Sequence, residues 1–396
     1  MEKITRSHIY HIFILSNFDI YLPSEIIRLM MSMTYPKIRI IGIKDFSYLQ
    51  INDHILVWGS SIQQYIEPLA KKLVNNTIIP SIDNHYLFPF YRHNMRLIAN
   101  FEDIIKISLG PRYAVALLKS GDIYESVMST ESTDNPIYKI NLKNIIKIKC
   151  GNFHSIALNK YGEIFTWGRN DNGQLGLATT DKYTNSPILL QNPLDITKIY
   201  CMGNSTYALT KCNDLYSWGY NNQGQLGLGH YLNQNLPQKI NLENVIKVAC
   251  GEEHIVAMTK SGEVYTWGSN YYGQLGLGNQ DNQCVPTKVK LDFNIVKIAC
   301  GRYYTVVADK FGYIYTWGLN NRCQLGLGHN ANRSLPQWVN IPNYKKIRKI
   351  SCGNSHTIVM NIFGEFYVWG DNHWSQTGIN TTKNKKIILP QKLIFD

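Results

Sequence analysis

Residues 262–276 read Gly-Glu-Val-Tyr-Thr-Trp-Gly-Ser-Asn-Tyr-Tyr-Gly-Gln-Leu-Gly, and much of this pattern returns about every 50 residues along the 396-residue chain. The pair Trp-Gly begins at Trp58, Trp167, Trp218, Trp267, Trp317 and Trp369. The last five are 49 to 52 residues apart, and Gly121–Ser126, with Ser126 in place of Trp, fills the double interval after Trp58. Seven copies with this period indicate a propeller.

A second marker recurs in phase with the first. A glycine lies 16 or 17 residues before the Gly of the Trp-Gly pair at Gly151, Gly203, Gly251, Gly301 and Gly353. Each copy also has four strand-like segments, which in the fifth copy are 245–250, 254–258, 263–267 and 286–291. The alternation and the Gly turns predict four-stranded antiparallel blades. We therefore predict an all-β fold, a seven-bladed β-propeller, over residues 36–396.

The two ends of the chain complement each other in this scheme. Residues 389–395 read as a Pro-containing strand, whereas the first copy starts at Ile38 without one. We predict that N- and C-terminal strands share a blade and so close the ring. Residues 1–35 form an extension outside it, and the apolar residues between Leu22 and Met33 lie at helical spacing, which predicts a short helix.

Composition excludes several classes of protein. Hydrophobic residues make up 44% of the chain and charged residues 17%, so the chain can bury a core and is not a disordered polyelectrolyte. No run reaches the roughly 18 uncharged apolar residues that cross a bilayer, so we predict no membrane association. The eight Cys form no CxxC pair, and Cys150, Cys250, Cys300 and Cys352 directly precede a marker glycine. We interpret them as small buried side chains in a reducing compartment, which predicts a soluble intracellular protein and leaves cytoplasm or nucleus open. We also expect a monomer.

Three motifs are similar to those of the regulator of chromosome condensation repeat family. They are the Gly-x-x-His turn at Gly151–His154, Gly251–His254 and Gly353–His356, the hairpin Gly-x-x-x-x-Trp-Gly, and the loop Asn-x-x-Gly-Gln-Leu-Gly. The resemblance covers about residues 36 to 396. It implies a seven-bladed propeller that binds other proteins.

The same resemblance implies where a partner binds. The founding member of the family is a guanine-nucleotide exchange factor for the small GTPase Ran, docks on nucleosomes, and uses the propeller face with the Gly-x-x-His turns. The matching residues here are His154, Glu252, Glu253, His254, Arg302, Tyr304, Asn354 and His356. We expect a non-enzymatic protein-interaction scaffold. The alternative is an exchange factor for a Ran-like small GTPase, in which Glu252 and Glu253 compete with phosphate for the P-loop lysine of the GTPase.

No pattern in the sequence indicates catalysis. The three turn histidines hold one equivalent position, which Tyr304, Thr206 and Tyr113 fill in other copies, and a repeated His in a turn typically holds its surroundings by hydrogen bonds. Equivalent positions on different blades surround a channel and do not converge on one metal ion. The motifs GxxxxGK[ST], HExxH and GxSxG are absent. We predict no catalytic residues, no metal and no cofactor.

The formal net charge of +12 is concentrated partly near the C-terminus. The basic patch there comprises Lys345, Lys346, Arg348 and Lys349. Such a run can contact DNA phosphate, a nucleosome or an acidic protein, and it is also commonly a solvated surface. Asn, Ile, Lys and Tyr are abundant throughout, as in proteins from AT-rich genomes such as those of large DNA viruses, so Lys is also frequent for coding reasons.

Two departures from the repeat bear on partners. Residues 20–34 resemble the opening of an F-box, which implies recruitment of a ubiquitin-ligase adaptor; the alternative is a helix packed on the propeller. An insertion at 60–100 replaces the usual loop after Trp58, and it begins with apolar residues at helical spacing. This insertion is either a partner-binding element on one rim or loop drift in an eroded blade.

Overall fold

The computed structural model describes residues 38–43, 46–51, 54–59, 96–100, 104–111, 113–127, 137–179, 181–191, 194–342, 346–373, 376–379 and 385–393. Between residues 38 and 104 the described features are the strands and their pairing. The predicted N-terminal helix, the F-box-like segment, residues 60–95 of the insertion and Lys345 lie outside the described residues.

The described residues form 28 strands and no helix. The first fourteen are β1 (Ile38–Ile43), β2 (Phe46–Ile51), β3 (His54–Gly59), β4 (Arg96–Asn100), β5 (Ile104–Leu109), β6 (Tyr113–Leu118), β7 (Ile123–Val127), β8 (Ile137–Ile140), β9 (Ile145–Cys150), β10 (His154–Asn159), β11 (Ile164–Arg169), β12 (Tyr183–Leu189), β13 (Ile196–Met202) and β14 (Ser205–Thr210). The others are β15 (Leu215–Gly219), β16 (Gln234–Lys239), β17 (Val245–Cys250), β18 (His254–Thr259), β19 (Val264–Gly268), β20 (Gln283–Lys288), β21 (Ile295–Cys300), β22 (Tyr304–Asp309), β23 (Ile314–Gly318), β24 (Arg333–Val339), β25 (Ile347–Cys352), β26 (His356–Asn361), β27 (Phe366–Asp371) and β28 (Lys386–Leu393). Nothing in this part of the chain forms a helix that could span a membrane.

Each run of four consecutive strands forms its own antiparallel sheet, with neighbouring strands paired in sequence order. Six sheets have described side chains: β5–β8, β9–β12, β13–β16, β17–β20, β21–β24 and β25–β28. Strands β1–β4 form a further sheet, which is described by its strand pairing alone. The predicted all-β fold of four-stranded antiparallel sheets is confirmed, while the count of seven blades and the N-terminal helix stay predictions.

The first strand of each sheet is the innermost. In turn, β5 lies against β9, β9 against β13, β13 against β17, β17 against β21, and β21 against β25. The fourth strand of each sheet lies at the opposite sheet edge. Because the first strands adjoin while the sheets diverge from them, these strands surround a central channel, as in a propeller.

The prediction that the C-terminal strand shares a blade with N-terminal strands is wrong. Strand β28 pairs with β27, with Leu393 opposite Phe366, in a sheet built from residues 347–393. The first copy obtains its fourth strand locally, because β4, at the end of the insertion, pairs with β3. The first and last sheets meet instead where β1 lies against β25 and β26.

The tryptophans of the repeat form the contacts between sheets. Trp218, Trp267, Trp317 and Trp369 are each 0% exposed. Trp369, for example, packs with Tyr304 and Leu325 of the preceding sheet. Each copy therefore buries its Trp only when its neighbour is in place, which explains why the repeat requires this residue.

The glycine of the Trp-Gly pair is required by a close backbone approach. Gly318 has a φ of +106°, and a Cβ at this position would lie 2.5 Å from the Tyr303 carbonyl oxygen. A side chain would therefore be strained by the backbone conformation and would clash with the turn above it.

The repeat cysteines lie on the innermost strands and pack against buried apolar side chains. Burial raises the pKa of Cys150 to about 11 and the pKa values of Cys250 and Cys352 to about 12. These thiols therefore stay protonated near neutral pH and act as small apolar side chains, although they are partly and not fully buried.

Candidate functional site

The Gly-x-x-His turns join the first and second strands of the sheets and lie on one rim of the ring. In the fifth sheet the Gly251 N–H donates to the His254 carbonyl at 2.9 Å. Neighbouring turns are linked directly, since the Glu252 N–H donates to the Arg302 carbonyl of the next sheet at 2.8 Å. We call the turns at 151–154, 202–205, 251–254, 301–304 and 353–356 the turn face.

The imidazoles lie beneath this face. His154, His254 and His356 are each 0% exposed. His154 Nε2 lies 2.8 Å from Thr206 Oγ1 of the next sheet, and His254 Nε2 lies 3.1 Å from Thr305 Oγ1. The prediction that these three side chains contact a partner is wrong, because buried rings that join adjacent sheets are not available on the surface.

The threonines assign the tautomer of the rings they contact. Thr206 Oγ1 donates to the Gln174 carbonyl at 2.9 Å and therefore accepts from His154 Nε2–H. His254 has the same arrangement with Thr305. Among the described residues, the Nδ1 atoms of these two rings have no hydrogen-bond partner. A second proton on either ring would thus be buried without an acceptor.

Burial keeps these imidazoles neutral. It lowers the pKa of His154 and His254 to about 3 and the pKa of His356 to about 4. Asp371 acts in the opposite direction on the pKa of His356 without overcoming burial. The three rings are structural side chains and are not acid–base groups.

Tyr304 takes the imidazole position in the sixth sheet and is also 0% exposed. Its hydroxyl donates to the His356 carbonyl at 2.5 Å and lies 3.1 Å from Thr357 Oγ1. The prediction that Tyr304 contacts a partner is wrong for the same reason as for the histidines. Tyrosine and histidine therefore serve one purpose here, which is to join one turn to the next sheet.

The buried ring explains the marker glycine. A Cβ on Gly301 would lie 1.7 Å from the Tyr304 ring, and one on Gly251 would lie 2.1 Å from the His254 ring. The ring fills the space that a side chain at the first turn position would need. Glycine and an aromatic ring are therefore required together.

The fourth sheet departs from this pattern and corrects the alignment of its turn. Ser205, and not Thr206, pairs with Gly219, as the histidine of other turns pairs with the Gly of its Trp-Gly pair. The first turn position is then Met202, which is 3% exposed. Because Ser205 has no ring to fill that space, the side chain of Met202 is tolerated at the first turn position. Gly203 is then the second turn residue.

The turn face presents to solvent the two residues between the glycine and the ring. Phe153 is 41% exposed, Arg302 is exposed, and Asn152, Glu252, Glu253, Tyr303 and Asn354 are half-exposed. The site predicted from the sequence comprised Glu252, Glu253, Arg302 and Asn354 besides the rings. Phe153 and Tyr303 belong to the same turns that carry the family resemblance.

Arg302 connects two turns of this face. Its Nε lies 3.9 Å from Glu252 Oε2 of the preceding sheet, and its guanidinium lies 5.1 Å from the centroid of the Tyr303 ring. Burial raises the pKa of the Glu253 carboxyl, Glu252 raises it further, and Arg302 lowers it. Two acidic side chains thus stand beside one arginine, on a chain whose net charge is +12.

The loops after the Trp-Gly pairs extend the same rim. The Leu319 N–H donates to the Tyr303 carbonyl at 2.9 Å. The ring centroids of Tyr272 and Tyr303 are 5.3 Å apart, and Tyr271 is 58% exposed. We call Glu252, Glu253, Tyr271, Tyr272, Arg302 and Tyr303 the Arg302 patch. It is a continuous aromatic and charged surface across the fifth and sixth sheets.

The Asn-x-x-Gly-Gln loops are internal connections. Gln174 Oε1 accepts from the Asn172 N–H at 2.9 Å, and the Gln174 carbonyl accepts from Trp218 Nε1 of the next sheet at 3.0 Å. Gln225 and Gln274 repeat both contacts. The side-chain oxygen and the backbone carbonyl of each glutamine are both occupied by these bonds. This supports the interpretation that the loop is structural and does not bind a ligand.

The basic run is divided between a rim and the channel. Lys346 is exposed in the loop before β25, whereas Arg348 and Lys349 lie on β25, the innermost strand of its sheet. Two of these three residues therefore lie on a strand that lines the channel. Within the described part of the chain, no three His, Cys, Asp or Glu side chains are grouped to hold a metal ion.

Comparison with known proteins identifies the repeat. Residues 127–394 match the family model of the RCC1-like domain. Among curated proteins, the ultraviolet-B receptor UVR8 of Arabidopsis thaliana is 37% identical over 76 residues, which are 19% of this chain and 17% of that protein. The human probable E3 ubiquitin-protein ligase HERC6 is 35% identical over 79 residues, which are 19% of this chain and 8% of that protein. The chain thus matches less than a fifth of the length of either relative.

Solved structures show the same fold. Human WBSCR16 has a TM-score of 0.69 at 22% identity and covers 86% of this chain and 93% of its own. Prp20p from Saccharomyces cerevisiae has a TM-score of 0.68 at 19% identity and covers 90% of this chain and 87% of its own. At these identities the likeness concerns the fold alone.

Proposed function

The chain belongs to the RCC1-like domain family, and from this we propose that its propeller is a non-enzymatic protein-interaction scaffold whose partner binds the Arg302 patch. The observation that carries the proposal is the contact of Arg302 with Glu252 and Tyr303, together with the Tyr272–Tyr303 ring contact. Tyrosine and arginine are the residues most enriched at the energetic centres of protein interfaces.

The opposite rim also exposes aromatic side chains, on adjacent as well as on separate sheets. Tyr161 is 65% exposed and Phe311 is 58% exposed, each at the hairpin between the second and third strands of its own sheet. Phe363 is 49% exposed at the equivalent hairpin of β25–β28, the sheet next to that of Phe311. The Arg302 patch differs in combining a contact between two tyrosine rings with an arginine that lies near an acidic side chain of the neighbouring sheet.

Replacing Arg302 and Tyr303 together with Ala is expected to weaken partner binding by at least about tenfold, since central Arg and Tyr contacts are each commonly worth more than 1 kcal/mol. The full chain serves as bait in its native cell extract, and retained proteins are quantified by mass spectrometry. A matched control is Lys310→Ala with Phe311→Ala, a pair in the same sheet whose ammonium lies 5.0 Å from its ring, as compared with 5.1 Å for Arg302 and Tyr303.

The two double variants separate the rims. A partner retained by the wild-type chain and by the control, but lost with Arg302→Ala and Tyr303→Ala, supports the patch. Equal retention by both variants, or loss with the control alone, would overturn it. Affinity measured by calorimetry with the purified partner then confirms that the contact is direct.

The alternative function is guanine-nucleotide exchange on a Ran-like GTPase, and the observation that favours it is the adjacent, half-exposed pair Glu252 and Glu253. Prp20p, which shares the fold, binds Gsp1p and histones. If this alternative holds, the chain should accelerate release of fluorescent GDP from a Ran-like GTPase, and Glu252→Ala with Glu253→Ala should abolish most of the acceleration. Unchanged release with the wild-type chain would reject exchange and leave the scaffold proposal standing.

The third candidate, an F-box-like ubiquitin-ligase adaptor, depends on residues 20–34. No described contact favours it over the other two, and the matched segment of HERC6 is 8% of that ligase.

A further inference from the structure

A lysine recurs at one position of the innermost strand in six consecutive sheets: Lys106, Lys147, Lys198, Lys247, Lys297 and Lys349. Each follows an irregularity in the pairing between the first and second strands of its sheet. Because the six strands adjoin around the channel, the lysines form an arc around its axis, which we call the lysine ring. The sequence contains this period, but it is visible only when the repeats are aligned on their first strands.

Part of this arrangement has a structural explanation. Lys198 Nζ donates to the Ile246 carbonyl of the next sheet at 2.6 Å, and Lys147 Nζ donates to the Thr197 carbonyl in the same way. Both acceptors lie at strand irregularities, where a bulge disturbs the ladder of backbone bonds. An ammonium group has three donors, and a neutral amide could make the same bond. The backbone contact therefore explains a donor at this position but not a charge.

The innermost strands carry an excess of positive charge. The innermost strands β5, β9, β13, β17, β21 and β25 contain no Asp or Glu, while Lys149 and Arg348 add two further cations to the six lysines. Burial lowers the pKa of Lys147, Lys247 and Lys297, and nearby cations lower each pKa further. Like charges held together and partly out of water repel one another, and a bound anion would offset this repulsion.

We propose that the lysine ring binds one compact, polyphosphorylated small molecule on the channel axis. Cations carried by successive innermost strands around the channel suit a ligand whose phosphates are spread around its perimeter. Each ring lysine is near the middle of its strand, about 7 Å from the rim opposite the turn face at about 3.3 Å per residue. A ligand must therefore be narrow enough to enter the channel. This site is separate from the Arg302 patch and does not depend on the proposed function.

The test uses the full chain and inositol hexakisphosphate as the probe, titrated by calorimetry in about 0.15 M salt, where exposed charges are screened. We expect one probe per chain. Lys198→Gln with Lys247→Gln should weaken binding by at least about tenfold, because each lost charge removes an attraction on the order of 1 kcal/mol. Glutamine removes the charge while keeping a polar donor on a side chain that is one bond shorter.

A matched control removes two charges from the same two sheets. Lys239 and Lys288 lie on the outermost strands, where they pair with Asp214 at 2.9 Å and Glu263 at 2.5 Å. Lys239→Gln with Lys288→Gln should change the affinity less than about twofold. Far-UV circular dichroism verifies that both variants fold, and Lys198→Gln alone replaces the ring variant if the double substitution prevents folding.

Several outcomes would overturn the proposal. These are no binding by the folded wild-type chain, binding of several probes per chain, and equal weakening by the control variant. A duplex DNA oligonucleotide that binds with the same dependence on Lys198 and Lys247 would make the ring a nucleic-acid site instead. Vesicles containing phosphatidylinositol bisphosphate distinguish the source of the phosphates: ring-dependent vesicle binding identifies a lipid headgroup, and its absence beside ring-dependent binding of the soluble probe identifies a free ligand.

Discussion

Lowering the pH from about 7 to about 5 is expected to destabilise the propeller by about 6 kcal/mol, because three neutral histidines are buried between its sheets. The pKa is about 3 for His154 and His254 and about 4 for His356, against about 6.5 in an unfolded chain. A folded pKa below the unfolded pKa stabilises the native state above the unfolded value, and this stability is lost as the pH falls towards the folded value. Each ring accounts for roughly 2 kcal/mol at the lower pH.

Urea unfolding at a series of pH values, followed by far-UV circular dichroism, measures this loss. The described carboxyl groups contribute less to the change in unfolding free energy, and they act in opposite directions. The pKa of Asp122 is lowered by its bond to Lys139, whereas burial raises the pKa of Glu125. An unfolding free energy that does not change between the two pH values would contradict the assignment of neutral, buried rings.

Two reciprocal substitutions isolate one ring. His254→Tyr introduces the residue that the sixth sheet already has at this position. There Tyr304 contacts Thr357, as His254 contacts Thr305 in the fifth sheet. This variant should lose about 2 kcal/mol less on acidification, whereas Tyr304→His should lose about 2 kcal/mol more. If both variants follow the wild-type pH dependence, the acid sensitivity arises elsewhere in the chain.

Replacing Trp317 with Ala is expected to lower the free energy of unfolding by about 3–5 kcal/mol, the usual cost of truncating a buried tryptophan. Trp317 is 0% exposed, and its Nε1 donates to the Gln274 carbonyl of the preceding sheet at 2.8 Å. Trp317→Phe should cost less, because the ring still fills most of the space and Thr305 Oγ1 still donates to the same carbonyl at 2.9 Å. Denaturant unfolding monitored by circular dichroism compares the two.

Trp338 is the matched control in the same sheet. It is 53% exposed on β24, the outermost strand, so Trp338→Ala should change stability by less than about 0.5 kcal/mol. Similar losses for Trp317→Ala and Trp338→Ala would show that the interface between the fifth and sixth sheets does not depend on the buried indole.

The local elements could be predicted from the sequence because each is specified within one repeat. Alternation and Gly turns predict strands 245–250, 254–258 and 263–267, and the structure has them as β17, β18 and β19 within about two residues at each end. The fourth strand, predicted at 286–291, is β20 and starts and ends three residues earlier. The register of the fourth sheet was mistaken by one residue, because Gly203 was aligned with the marker glycine. Only the pairing of Ser205 with Gly219 shows that Met202 holds that position.

The candidate site was predicted less completely. Glu252, Glu253, Arg302 and Asn354 lie on the turn face as expected, but the accompanying rings of His154, His254, Tyr304 and His356 are buried. The spacing Gly-x-x-His identifies a turn without indicating which of its side chains the next sheet covers. The covering residues, such as Thr206 and Thr305, are about 50 residues away in the chain.

The sequence by itself determined the repeat, its four strands and the family, because the Trp-Gly and Gly-x-x-His markers act within a single blade. Only the packing of the sheets against one another determined that the histidines are buried, that β28 stays in its own sheet, that Tyr272 meets Tyr303, and that six lysines lie along one channel. The physical reason is the same in each case. A repeat specifies its own hydrogen bonds and turns, whereas burial, charge and contact at its faces depend on neighbours that are one period or more away in the chain.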